Sequence, residues 1–320
     1  MQTFGSIGIV GAGLIGSGWA ARCLARKIDV FAYDPSPNGE TVIRSHIDNA
    51  WQALEKLGFN RDEAGKFTYV NSLEELCKSV EFIQESAPDS LEIKTRLHRQ
   101  IDQITPADVI IASSSSGLLP TDIQAGTNHP QRIVIGHPFN PVYILPLVEI
   151  VRGDHTSADT ARLAAEFYEH IGMYPLMVKK EIEGYISDRL QEAIWREALH
   201  MVADGVASTK DIDDAIVYGP GLRLAIMGVC LTFHLAGGEQ GMKHMLEQFG
   251  PALQLPWTHL KAPELTEHLI DRMVEGTKSQ SEGHSIKELE RLRDNCLIEI
   301  LDVLARYQYS AGSTKFRADS

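Results

Sequence analysis

At 320 residues, 43% hydrophobic and 23% charged, the chain has the make-up of an ordinary globular protein and is too long for one small core, so two domains are expected. Its formal net charge of −13, with no run of Lys or Arg, argues against nucleic acid as a partner. Cys23, Cys77, Cys230 and Cys296 lie far apart without C-x-x-C spacing, which suits reduced thiols in a cytoplasmic protein better than disulfides or a metal site. A strand pattern begins almost at once, leaving no room for a signal peptide, and no apolar run is long enough to span a bilayer.

Ser6-Ile7-Gly8-Ile9-Val10 reads as a short buried parallel strand. It runs into Gly11-Ala12-Gly13-Leu14-Ile15-Gly16, then a helical pattern, then a second strand, Val30 to Tyr33, ending on Asp34. A G-x-G-x-x-G run is a weak signal alone. Between a strand and a helix, with an acid 23 positions after its first glycine, it predicts a dinucleotide site. Gly11 permits the tight turn, Gly13 lets backbone approach a pyrophosphate, and Gly16 lets helix and strand pack closely. The N–H groups of Leu14, Ile15 and Gly16 open the helix, where its dipole favours an anion. Asp34 accepts from a ribose 2′-OH and repels a 2′-phosphate, and Pro35-Ser36-Pro37 after it supplies no arginine, so the expected cofactor is NAD.

Further strands are expected at Phe67–Val70, Val80–Gln84, Asp108–Ala112 and Ile133–Ile135, with a capping box at Ser72 to Glu75. The fifth strand ends on Ser113 to Gly117 and the sixth on His137. Both ends therefore lie on the rim where open α/β sheets bind ligands. Gly136-His137-Pro138-Phe139-Asn140-Pro141 is stiffened by two prolines, and twelve residues past His137 a lone Glu149 sits inside the apolar run Leu147–Val151. A lone carboxylate there needs a partner, and His137 is the nearest. The pair is either structural or a general base with its orienting carboxylate; its place on the cofactor rim selects the second.

After a strand at Pro175–Val178 the pattern becomes helical from about Glu183, with Ile186, Leu190, Ile194 and Met201 on one face. A last helix from Ser285 to about Arg306 is expected to bury Ile286, Leu289, Leu292, Cys296, Ile300 and Leu304. The fold class is thus α/β: a Rossmann-like domain over residues 1–184, then an all-helical domain over 185–320 for substrate binding and dimerisation. A homodimer is the expected assembly.

Together the dinucleotide fold, the serine-ended fifth strand, the H-x-x-N turn, the glutamate twelve residues on and the helical second half resemble the 3-hydroxyacyl-CoA dehydrogenase superfamily, over essentially the whole chain. Gln84-Glu85-Ser86, Ser116 to Pro120, Asn140 to Tyr143 and Trp195 to Leu199 are similar to a bacterial branch acting on a free 3-hydroxy acid. The resemblance implies NAD-dependent oxidation of a 3-hydroxyl, with L-carnitine as the implied substrate. It implies His137 as general base, Glu149 as its support and Ser116 as a hydroxyl at the reacting oxygen. Asp89 and Lys94 fall where the family places an acid and a lysine near the nicotinamide; as a loop pair they are otherwise a surface ion pair.

Two departures bear on the substrate. Asp188, in Gly184-Tyr185-Ile186-Ser187-Asp188-Arg189, stands where the family usually has Asn; an ionised Asp only accepts, so it either serves a cationic substrate or pairs with a local Arg. From Glu40 to Lys66, where the family binds coenzyme A through basic residues, four basic side chains face five acidic ones, which favours a free zwitterionic or anionic hydroxy acid. Asn140, Tyr143, Asp188 and Arg223 are the candidate substrate residues, Arg223 for the carboxylate, unless it is a surface or interface residue. Tyr143, Tyr185, Trp195 and Phe233 are aromatics available to a trimethylammonium, unless they are core. A sugar-acid dehydrogenase and a structural protein that merely retains NAD are the alternatives.

Overall fold

One eight-stranded sheet in the order β3-β2-β1-β4-β5-β6-β7-β8 carries the N-terminal part of the computed structural model. The structure describes residues 4–225, 228–237, 241–249, 283–308 and 310–315, and the short stretches 251, 255–258, 266–268, 271 and 317–318. Strands β1 (Ser6–Val10), β2 (Asp29–Tyr33), β3 (Phe67–Tyr69), β4 (Phe82–Glu85), β5 (Ile110–Ser113) and β6 (Ile133–Pro138) run parallel, each to its neighbour. β7 (Leu147–Val151) turns antiparallel against β6, and β8 (Tyr174–Val178) pairs parallel with β7.

The parallel strands are almost wholly apolar because both sheet faces are covered. On one face, α1 (Leu14–Ala25), α2 (Gly39–Lys56) and α6 (Ala158–His170) bury Trp19, Ile43, Leu54 and Phe167 against Ile7, Ile9 and Phe82. A second cluster holds Val10, Leu76, Ile83, Ile101 and Ile111, with Leu76 from α3 (Leu73–Lys78) and Ile101 from α4 (Leu91–Ile104). Strand order reverses direction between β1 and β4. A cleft of about 1160 Å³ opens there, lined by Gly11, Gly13, Asp34, Ser36, Ser86, Ala87 and Arg96 among others.

The chain divides into two compact units. Residues 1–188, 293–305 and 311–320 form the first; residues 189–292 and 306–310 form the second. Beyond the boundary expected at 184/185, a C-terminal segment returns to the first unit. The cause is in the last helix, α12 (Ile286–Arg306): Ile298 and Leu301 join the first unit's core, Asp294 accepts from Tyr143 Oη at 2.8 Å, and Arg317 clasps Asp302. Of the face expected to be buried, Leu304 is buried as expected, but the rest of the described face differs. Leu292, Cys296 and Ile300 are exposed, whereas Asp294, Ile298, Leu301 and Leu304 are buried; the side chains of Ile286 and Leu289 lie outside the described residues.

In the second unit the described elements are helical: most of α7 (Ser187–Ala203), then α8 (Thr209–Val217), α9 (Pro220–Leu224), α10 (Val229–Ala236) and α11 (Gly241–Phe249). Its described buried core is small, Leu199 and Val202 with Ala203 and Ile212 against them. Among the described residues, no helix is long and apolar enough to cross a membrane.

Candidate active site

The glycine turn is built as its sequence requires. Gly11 has φ +110°, and a Cβ there would meet the Ser86 carbonyl at 2.7 Å. A Cβ at Gly16 would lie 2.0 Å from the Gly11 carbonyl, so only glycine lets α1 approach β1 this closely. A Cβ at Gly13 meets nothing within 4 Å and would instead project into open space. Gly13 is also the N-cap of α1, without a side-chain cap, so the first N–H groups of the helix, from Leu14 on, are available to an anion. Asp34 closes the far side of the cleft: Oδ2 accepts from Ala12 N at 2.7 Å and Oδ1 from Ser36 N at 2.8 Å. A backbone cradle, an uncapped helix and an acid at the end of β2 together fit a dinucleotide diphosphate and its ribose.

His137 and Glu149 face each other in register across the antiparallel pair β6 and β7. The turn between them brings a sequence separation of twelve down to 3.0 Å between Nδ1 and Oε2. Glu149 is fully buried, and its other oxygen accepts from Ile186 N and Ser187 N, each at 3.0 Å, where α7 begins. Burial alone would raise this carboxyl. The bonds from His137, Ser187 and Ile186 outweigh burial and hold it below the ordinary glutamate value. With an ionised acceptor at Nδ1, the neutral ring carries its proton there and leaves Nε2 as the basic nitrogen. Asp188 Oδ2 stands 3.6 Å from that Nε2. The ring is thus set between a buried carboxylate and a partly exposed one, with Phe139 and Tyr185 edge-on at 5.2 and 5.5 Å.

Tyr185 is buried, with its hydroxyl donating to Leu118 O at 2.7 Å, and burial pushes its pKa up. It packs on His137 rather than waiting for a substrate cation. Its backbone lies in the left-handed region at φ +44°, where the turn from Gly184 passes close to Gly117.

Each serine of the run has its own task. Ser113 donates to Glu85 at 2.6 Å. The hydroxyl of Ser114 meets Trp19 Nε1, Gln84 Nε2 and Ser86 Oγ at 3.1, 2.7 and 2.9 Å. Ser115 donates to Asp89 Oδ1 at 2.6 Å, and the Ser116 N–H donates to Asp89 Oδ2 at 2.9 Å. The Ser116 side chain is exposed. Asp89 therefore shapes the serine loop.

Two of the expected site residues are buried. Lys94, expected beside the cofactor or in a surface pair, is 1% exposed; its ammonium donates to Glu85 Oε1 at 2.8 Å and Ala87 O at 3.0 Å. It borders the cleft through the Ala87 carbonyl and stands 3.9 Å from Asp89 Oδ1. Tyr143, expected at the substrate, packs in the first unit's core with its hydroxyl on Asp294. Asn140 is exposed and precedes the cis peptide bond to Pro141. Arg223 lies exposed in α9 of the second unit, where Trp195 and Phe233 are also exposed.

Sequence reasoning missed Glu85, His98 and Arg22. Glu85 gathers four polar partners. Arg22, buried on α1, donates to the carbonyls of Val142 at 2.7 Å, Leu145 at 3.1 Å, Ile171 at 3.2 Å and Gly172 at 3.3 Å. It thereby ties the nucleotide helix to the segment just after Asn140. A signal was present for Lys94 and His98, polar residues four apart on a helix, a spacing that shares one face with Ile101.

In the segment Glu40–Lys66, Arg44 pairs with Glu40, Arg61 with Asp48, and Glu63 takes Lys27, so local acids already answer these cations. Such pairs are weak, but they leave a poor anchor for a phosphorylated handle.

Two family models match the chain: the NAD-binding domain of 3-hydroxyacyl-CoA dehydrogenase over residues 6–182, and the C-terminal domain of the same family over residues 184–284. The chain is 54% identical over 305 residues to L-carnitine dehydrogenase of Pseudomonas aeruginosa, covering 95% of this chain and 94% of the relative. It is 52% identical over 315 residues to the L-carnitine dehydrogenase of a Pseudomonas species, covering 98% and 97%. Among solved structures it is similar to an NAD+-dependent dismutase, 5-formyl-3-hydroxy-2-methylpyridine 4-carboxylic acid 5-dehydrogenase, with TM-score 0.79 and 25% identity over 94% of this chain and 99% of that one.

Proposed function

The chain belongs to the 3-hydroxyacyl-CoA dehydrogenase family, and from that premise we propose that it is an L-carnitine 3-dehydrogenase, oxidising the 3-hydroxyl of L-carnitine to the ketone of 3-dehydrocarnitine. One observation carries the substrate. A carboxylate, Asp188, stands 3.6 Å from the basic nitrogen of His137, in a protein half identical to L-carnitine dehydrogenases over nearly its whole length. A second carboxylate at that position suits a substrate with a fixed positive charge and does nothing for an uncharged acyl chain.

His137 Nε2 removes the proton of the 3-hydroxyl, and Glu149 stabilises the imidazolium that forms; general-base help of this kind is worth about 10²–10⁴ in rate. Bound NAD supplies the acceptor for the hydride leaving C3. Gly11, Gly13, the N-terminus of α1 and Asp34 would hold its diphosphate and adenosine ribose. Ser116 donates to the reacting oxygen, with its backbone held by Asp89. Asn140 lies exposed on the same rim. Lys94 supports the loop around Ala87.

We place the protein in the cytoplasm as a homodimer. Four thiols without disulfides suit a reducing compartment, and the second unit leaves Leu190, Ile194, Trp195, Leu222 and Phe233 exposed, an apolar surface of the kind a partner copy covers. Light scattering giving a monomer mass would refute the dimer.

The deciding measurement is NADH formation with L-carnitine, 3-hydroxybutyrate, L-gulonate and a 3-hydroxyacyl-CoA in parallel. Turnover is expected on L-carnitine with the highest kcat/KM. Preference for L-gulonate assigns a sugar acid, preference for the thioester assigns acyl-CoA, and no turnover on any of them leaves a protein that only binds NAD.

A further inference from the structure

Beneath the catalytic rim lies a second group of ionisable side chains that the reaction does not touch. Glu85, at the end of β4, is fully buried in register with Ser113 at the end of β5. Its Oε2 accepts from Ser113 Oγ at 2.6 Å and pairs with His98 Nε2 at 3.1 Å. Its Oε1 accepts from Ala87 N at 2.6 Å and Lys94 Nζ at 2.8 Å. Four polar partners converge on one carboxylate in a fully covered site.

Two of the partners, Ala87 and Ser113, belong to loops with different duties, and the other two, Lys94 and His98, come from α4. Ala87, next to Ser86 and Pro88, lines the cofactor cleft. Ser113 opens the serine loop, where its Oγ accepts from Ser115 N at 3.3 Å. Lys94 completes the link, because its ammonium also donates to Ala87 O at 3.0 Å and stands 3.9 Å from Asp89 Oδ1. Asp89 in turn holds Ser115 Oγ and Ser116 N. A continuous run of charge-assisted contacts thus leads from His98 through Glu85, Lys94 and Asp89 to Ser116.

We propose that Glu85 is a positioning residue for the reaction: with Lys94 it sets the cofactor loop at Ala87 and the hydroxyl of Ser116 in one register, so that hydride acceptor and reacting oxygen are presented together. This rests on Ser116 contacting the reacting oxygen. The pairing also explains why Lys94 is ionic yet buried. Its charge is spent inside the protein, balanced between Glu85 and Asp89, and it keeps Asp89 turned toward the serine loop. A neutral side chain at position 85 leaves the ammonium with Asp89 as its nearest carboxylate. The ammonium then draws Asp89 off Ser115 and Ser116. Displacing a group at the reacting atoms by about 1 Å costs on the order of a hundredfold in rate.

The test measures kcat on the dehydrogenase substrate and the dissociation constant of NADH for the full-length enzyme. Ser116→Ala is run first; an unchanged kcat there sinks the reading of Ser116, not the role of Glu85 in ordering Ala87. With Ser116→Ala impaired, Glu85→Gln is expected to lower kcat roughly a hundredfold while NADH affinity changes less than about threefold. The double variant Glu85→Gln/Lys94→Met removes the stranded ammonium and is expected to recover at least about tenfold of that loss. A double variant no faster than Glu85→Gln overturns the proposal, as does a Lys94→Met variant whose only defect is weaker NADH binding. Should Glu85→Gln not fold, Ser113→Ala removes one donor without stranding a charge. It is expected to lower kcat with NADH affinity kept, and an unchanged kcat overturns the proposal.

Discussion

His137 and Glu149 occupy directly opposed positions on antiparallel strands, and their side chains meet at 3.0 Å although the neighbour of β6 on its other side, β5, is parallel. The reversal at β7 is what makes this possible. A parallel strand would have needed a long crossover, whereas the turn through Asn140–Pro146 returns the chain within a few residues. Glu149 is in addition tied to the backbone where α7 begins, so it orients the ring and is itself oriented. Glu149→Gln keeps the shape and one acceptor but loses the charge that stabilises the imidazolium. Its kcat should fall by about 10²–10⁴ with the NADH dissociation constant unchanged. His137→Ala should abolish turnover with NADH binding kept. Loss of NADH binding in either variant would make the pair structural.

The three glycines of the turn should fail in different ways. A Cβ at Gly13 meets no protein atom within 4 Å, and its φ of −68° suits any residue, so Gly13→Ala should fold with a melting temperature within about 2 °C of the parent. Its methyl would nevertheless enter the space the pyrophosphate needs, raising the NADH dissociation constant by about tenfold or more. Gly16→Ala forces a Cβ to 2.0 Å from the Gly11 carbonyl and should lower stability before any question of binding arises. Calorimetry and NADH titration on both variants check the contrast; equal melting temperatures would contradict it.

Local chemistry explains what the sequence made legible. The glycine turn, Asp34 and the positions of the strands follow from short stretches whose physics is complete within some thirty residues, and the contact of His137 with Glu149 follows because a lone acid in an apolar strand demands a partner. Glu85 was not legible for the opposite reason. Its partners come from β5, α4 and its own loop, up to 28 residues away, and a glutamate at a strand end looks like any polar cap. The last helix was misjudged because it carries more than one apolar face. Ile298 and Leu301 are buried, Leu292 and Ile300 are not, and spacing alone does not say which face meets a core. Tyr143 illustrates the same limit: an aromatic beside the His137 turn is a core residue here, completed by Asp294, 151 residues on.

Asp188 offers a test of charge against hydrogen bonding. Its carboxylate is partly exposed, so its field at a bound cation is screened, and its neutralisation should be worth several-fold to about tenfold. Asp188→Asn should raise KM for L-carnitine by that factor and leave KM for 3-hydroxybutyrate, which has no cation, unchanged or lower. Steady-state kinetics on the two substrates side by side decide it. An equal rise for both would assign Asp188 to the alignment of His137, and no change for either would remove it from the substrate site.

Acid should unfold the first unit in a predictable window. For Glu85, burial acts to raise the pKa, but His98 and Lys94 outweigh it and bring the carboxyl down to about 2. Asp102 is likewise lowered against the effect of burial, by Arg132 and the N–H groups of Asn128 and His129, and Glu149 by His137, Ser187 and Ile186. Each carboxyl is more acidic folded than unfolded. Its stabilisation is therefore fully present above the unfolded value, about pH 4, and is lost as pH falls through the folded value. The melting temperature should hold level from about pH 7 to pH 5 and drop steeply below about pH 4, with further loss toward about pH 2 as Glu85 protonates. Glu85→Gln should start from a lower melting temperature at neutral pH and show a shallower acid decline, since one proton fewer is taken up on unfolding. A variant with the parent's slope would mean that Glu85 does not contribute its charge to the folded state, and would remove the electrostatic basis for its hold on Lys94.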